Sequence, residues 1–106
     1  MKEKTKSITI IGRRWFDKIN GNSYCTAKVL INGKLSFNLP YEYGYGEMYL
    51  QLCWHTLIKN NLLNPPAEVY MTKNYGKSYE DFWHYGERTK VRCFATVSDV
   101  ARKKDL

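Results

Sequence analysis

Ser23–Leu39, SYCTAKVLINGKLSFNL, decides the fold. Its first half alternates, with Cys25, Ala27, Val29 and Ile31 on one side and Tyr24, Thr26 and Lys28 on the other, the period of a half-buried strand. Asn32-Gly33 then supplies the two residues that most readily take positive φ in a tight hairpin turn. Lys34–Leu39 resumes the alternation, with Leu35, Phe37 and Leu39 expected inward and Lys34, Ser36 and Asn38 outward. Two strands joined by a two-residue turn are therefore expected, with one apolar face to be covered by something else.

Upstream, Ser7–Lys18 is rich in β-branched and aromatic residues and ends at a second turn, Asn20-Gly21-Asn22. It adds a third strand, making an antiparallel meander, with Ile8 and Ile10 on one face and Thr9, Ile11, Arg13 and Trp15 on the other. Gly12 suggests a bulge that would swap the faces beyond it, which leaves open whether Trp15 or Phe16 points inward. Downstream, Glu47–Asn60 carries Leu50, Cys53, Trp54, Leu57 and Ile58 at helical spacing, one stripe suited to the sheet's apolar side. Met48 and Leu52 project from its opposite side, toward a covering loop or a contact surface. Pro65-Pro66 ends that region, Ala67–Met71 reads as a short strand, and Ser78 is a candidate cap for a helical turn through Trp83. Arg88–Ser98 reads as the last strand, with Val91, Cys93, Ala95 and Val97 inward and Arg88, Lys90, Arg92, Phe94 and Thr96 outward. The fold class is thus α+β: an antiparallel sheet of four to five strands with one main helix on one face. At 106 residues it is a single domain, with basic ends, about 1–6 and 101–106, expected to fray.

Charge divides the chain. Residues 1–39 and 88–106 are basic and residues 40–87 mildly acidic, within a net charge of +7. No apolar run nears the roughly 20 residues of a membrane helix, and no signal-peptide pattern stands at residue 1. The three cysteines, Cys25, Cys53 and Cys93, occupy apolar phases and read as reduced core thiols of a cytosolic protein. Cys53 and His55 lie two apart on a helix and diverge, so no metal or cofactor site is assigned. No nucleophile–base pair or phosphate-cradling glycine spacing stands out either, which points to a non-enzymatic protein.

Two stretches point to binding. PYEYGYGEMY, residues 40–49, interleaves tyrosines with glycines and acids. Tyrosines set among small residues suit protein hot spots, so Tyr41, Tyr43, Tyr45, Tyr49, Met48 and Leu52 are candidate protein contacts. Separately, the side of the sheet away from the helix collects Arg13, Trp15, Tyr24, Lys28 and Lys34 with Arg88, Lys90, Arg92 and Phe94. Cations among aromatics suit an acidic partner or single-stranded nucleic acid; an ordinary solvated face has the same composition.

The run ITIIGRRWFDKINGNSYCTAKVLINGK, followed by YEYGYGEMYLQ opening a helix, resembles small uncharacterised accessory proteins encoded by phages and prophages, over roughly residues 8–60. The resemblance implies a setting and no particular activity: a small protein in the cytoplasm of a bacterial host. Such proteins often bind nucleic acid, or bind and disable a host enzyme that handles it, as anti-CRISPR proteins do. The leading expectation is a protein that binds, and inhibits, a host nucleoprotein or nucleic-acid-processing defence enzyme. The alternative is direct binding of single-stranded nucleic acid. A homodimer, through Met48 and Leu52 or through a free strand edge, stays open.

Overall fold

The computed structural model describes residues 4–44, 46–72 and 76–106. The α+β class holds. Strands β1 (Ser7–Asp17), β2 (Asn22–Ile31) and β3 (Lys34–Tyr43) form the expected antiparallel meander. Helix α1 (Met48–Lys59), a two-stranded hairpin of β4 (Val69–Thr72) and β5 (Gly76–Tyr79), and helix α2 (Phe82–Thr89) follow. The last strand, β6 (Arg92–Val100), completes the main sheet in the order β3-β2-β1-β6 and runs parallel to β1. The sheet is therefore mixed. A parallel neighbour needs a long crossover, and residues 44–91 provide it.

The turns behave as their chemistry demands. Asn32 and Gly33 both have positive φ, at 55° and 79°. The Asn32 side chain also accepts from the backbone N–H groups of Lys6 and Ser7 and donates to the Lys4 carbonyl. Thr5 is buried and exchanges hydrogen bonds with Asn64. Residues 4–6 are thus held by the fold, where a frayed start was expected. At the first turn, Asp17 accepts from Ile19, Asn20 and the Asn20 side chain, which holds its carboxyl below the usual range.

Gly12 is no bulge. The pairing of β1 with β2 runs unbroken from Ile8 to Asp17, so the faces do not swap. Trp15 lies on the face away from α1, while Phe16 lies on the helix side but beyond the helix, 55% exposed. The glycine answers a different need, because the ring of Tyr49 rests where a side chain would start. The bulges lie on β3 instead, between its pairings with Leu30 and Val29 and with Ala27 and Cys25. The first turns Leu35 outward, opposite Leu30, and puts Lys34 opposite Ile31; the alternation had assigned the reverse.

The core lies between sheet and helices. Ile8, Ile10, Cys25, Ala27, Val29 and Leu39 meet Leu50, Cys53, Trp54 and Leu57 of α1, with Phe82 and Tyr85 of α2. Met48 packs against Gly44 and Leu52 against the core, so this pair is only half-exposed. Helix α2 starts at Asp81, whose carboxylate accepts from the His84 N–H at 2.7 Å; Ser78, the expected cap, lies in β5. The helix ends where Lys90 turns left-handed, φ 65°, so the strand starts at Arg92 rather than Arg88.

Arg88 is consequently an α2 residue facing a buried carboxylate. Its Nε and Nη2 donate to Glu80 at 2.8 and 2.9 Å, and Nη2 also reaches the Pro66 carbonyl. Glu80 accepts from the Glu68 N–H as well. These bonds, the Arg88 guanidinium first, hold the Glu80 carboxyl below its ordinary value of 4.5. A depressed folded pKa adds stability above the unfolded value, and that stability is lost as pH falls through the folded one. Glu80→Gln should therefore destabilise the protein at neutral pH yet flatten the decline of its melting temperature under acid. A variant that declines with acid as steeply as the parent would remove Glu80 as the source.

Candidate interaction face

The outer face of the main sheet, opposite α1, brings members of both candidate sets onto one surface. Strand β3 extends through Tyr43, so Tyr41 and Tyr43 are strand residues and not loop residues. Tyr43 pairs directly with Tyr24, and Tyr24 with Trp15 on β1. The bulge near Thr26 brings Tyr41 onto the same face.

The rings form a ladder across three strands. Trp15 and Tyr24 stack at 5.9 Å between centroids, Tyr24 and Tyr41 stack at 4.8 Å, and Tyr43 meets Tyr24 edge-on at 5.7 Å. Lys103 places its ammonium 5.1 Å from the centre of the Tyr41 ring, a cation–π contact. Tyr24 thus stacks with a ring on each neighbouring strand, and the Tyr43 hydroxyl donates to the Asn22 side chain at 3.4 Å. Tyr41 and Tyr43 remain 42% and 57% exposed.

Farther along the face lie Ile11, Leu35 and Phe94, all exposed, with the cations Arg13, Lys28 and Arg92 among them. Arg92 and Phe94 reach the face through their pairing with Ser7 and Thr9. The end of the chain, expected to fray, crosses this surface. Lys103–Asp105 forms a 3-10 turn, Arg13 donates to the Asp105 carbonyl at 3.1 Å, and Leu106 lines a depression together with Ile11, Arg13, Thr26, Lys28 and Asn38.

Several candidates fall elsewhere. Tyr49 is buried over Gly12 and is no contact residue. Lys34 pairs with an inner-face position. Arg88 is committed to Glu80, and Lys90 terminates α2, so neither joins the basic face. Tyr45 lies outside the described residues. Conversely, Leu35, Lys103 and Leu106 belong to the surface although the sequence pattern did not single them out. Leu35 was hidden by a bulge, and the two tail residues lie beyond the last periodic segment.

The cysteines offer no nucleophile at this surface. Cys25 and Cys53 are buried and Cys93 half-buried on the core side. Burial pushes the Cys53 thiol up to about 12 and Cys93 to about 11, and raises Cys25 as well. Among the described residues, no helix is long and apolar enough to cross a membrane. Comparison with protein-family models, curated proteins and solved structures finds no match to this chain.

Proposed function

We propose that this protein acts by binding, with the outer sheet face docking against an acidic surface of a protein partner. In a phage-type accessory protein of the bacterial cytoplasm, that partner is a host nucleoprotein or nucleic-acid-processing defence enzyme, inhibited as an anti-CRISPR protein inhibits its target. The observation that carries the reading is the ring ladder from Trp15 to Tyr41, with Tyr43 beside it and Arg13, Lys28 and Lys103 around it. Stiff tyrosines that stay exposed, as Tyr41 and Tyr43 do, provide large contact area at little entropic cost. The surrounding cations steer an acidic partner.

The alternative, direct binding of single-stranded nucleic acid, draws support from the same cations but less from the rings. A base stacks on an open ring face, and Trp15, Tyr24 and Tyr41 already stack on one another. The phosphate-binding set is also smaller without Lys34, Arg88 and Lys90. No catalytic role is assigned to any residue.

Pull-down from bacterial lysate with and without nuclease separates the readings. Under the first, a defined protein persists after nuclease. Tyr43→Ala and Tyr41→Ala each then weaken its affinity by on the order of 2 kcal/mol, about 30-fold, with an unchanged circular dichroism spectrum. Affinity left intact by both variants would end that reading. Under the second, purified protein binds oligonucleotide at low salt, and each phosphate contact adds about 0.7 to the log–log salt slope. Arg13→Glu with Lys28→Glu would then abolish binding.

A further inference from the structure

The two edges of the main sheet are built differently. Strand β3 carries Pro40 and two bulges, devices that blunt an edge against further pairing. Strand β6, RCFATVSDV, has no proline or glycine, and its register with β1 is unbroken from Arg92 to Val100. Among the described residues no strand pairs with its other side. The Arg92 N–H donates to the Lys6 carbonyl, and in a parallel ladder alternate residues bond to the same neighbour. Residues 92, 94, 96 and 98 therefore serve β1, while the backbone groups of Cys93, Ala95, Val97 and Asp99 point to the open edge.

The apolar row on this strand is also unfinished. Cys93, Ala95 and Val97 face the core but are only half-buried, whereas Ile8, Ile10 and Val29 on the central strands are wholly buried. On the outer face, Phe94 is 56% exposed.

We propose that β6 pairs antiparallel with β6 of a second copy, about a two-fold axis through Ala95, making one continuous eight-stranded sheet. A second copy is the occupant because the strand complements itself in that register. Ala95 meets Ala95, small against small, with their outward N–H and C=O groups exchanging hydrogen bonds. Cys93 then lies opposite Val97 of the second copy on the core side, and Phe94 opposite its Thr96 on the outer face, an aromatic–β-branched pair of the kind that stabilises sheets. No like charges oppose: Arg92 meets Ser98, and Asp99 is already held by Arg14 of its own chain at 2.9 Å. The arrangement sets two aromatic faces side by side, so a partner offering two sites would be held more tightly than by one face.

The test is the mass in solution across a concentration series, with amide hydrogen exchange read residue by residue. The expected species has twice the 12.5 kDa chain mass. As it forms, the Ala95 and Val97 amides should slow, while those of Phe94 and Thr96, bonded to β1, change little. Ala95→Pro removes an outward N–H without touching the β1 ladder, and should give a folded monomer. A 12.5 kDa species at every concentration overturns the proposal. So does a dimer in which the Ala95 and Val97 amides exchange as fast as in the monomer, whether or not the proline variant folds.

Discussion

Replacing Trp54 by alanine should cost about 4 kcal/mol, in the range measured for buried aromatic side chains cut back to a methyl group. The indole is 95% buried between sheet and helices, its ring 5.7 Å from Phe82 and 5.2 Å from Tyr85. Its Nε1–H donates to the Glu80 carbonyl at 2.7 Å. One side chain thus ties α1 to α2 and to the residue that anchors Arg88. A domain of this size has only about 5–15 kcal/mol in total, so most of its margin would go. Trp54→Phe keeps an aromatic ring but strands the carbonyl, and should cost about 1–3 kcal/mol. Urea midpoints of both variants provide the measurement. An alanine variant within about 1 kcal/mol of the parent would mean that the two helices are not joined through this ring.

The meander was legible because its signals are local. Alternation, Asn32-Gly33 and Asn20-Gly21 each act within a few residues, and the helical stripe from Leu50 to Leu57 reads equally directly. What the pattern could not reveal was anything depending on which strand lies beside which. Periodicity assigns a face, but it does not assign a neighbour or a direction, so the parallel pairing of β6 with β1 was invisible. A single inserted residue in β3 reversed Leu35 and Lys34 while leaving the composition of the strand unchanged. Arg88 was misplaced for a related reason. Phe82–Thr89 is two turns long, too short for a convincing apolar period, and its arginine resembled the start of the strand beyond it.

The candidate surface shows the same division. The residue types were legible as two separate clusters, one of tyrosines in an acidic stretch and one of cations in basic flanks. Their union depended on β3 running three residues past Pro40, and on the bulge that turns Tyr41 toward Tyr24. Charge counted along the chain had separated what pairing across the sheet brings together. Tyr49 went the other way: it belongs to the tyrosine-rich segment by sequence and to the core by position.

Gly12→Val should cost about 3 kcal/mol, the upper end of what overpacked cores show. Even a bare Cβ at residue 12 would lie 2.6 Å from Cδ2 and 2.9 Å from Cγ of Tyr49, closer than carbon atoms approach. Cγ lies on the axis about which the phenol turns, so ring rotation leaves the 2.9 Å clash in place. Tyr49 stands in the first turn of α1, and moving it tilts the helix away from β1 and opens the row of Ile8 and Ile10 beneath. The interpretation makes a sharper demand than destabilisation alone. Combined with Tyr49→Ala, which itself removes a buried ring, Gly12→Val should cost less than it does in the parent, because the obstructing atoms are gone. Equilibrium unfolding of the two single variants and the double variant gives the coupling directly. If the two costs simply add, Gly12 is constrained by the strand and not by the ring. If they fall short of additive, the flat patch of backbone at Gly12 is what lets α1 begin directly over the sheet whose other side carries the ring ladder.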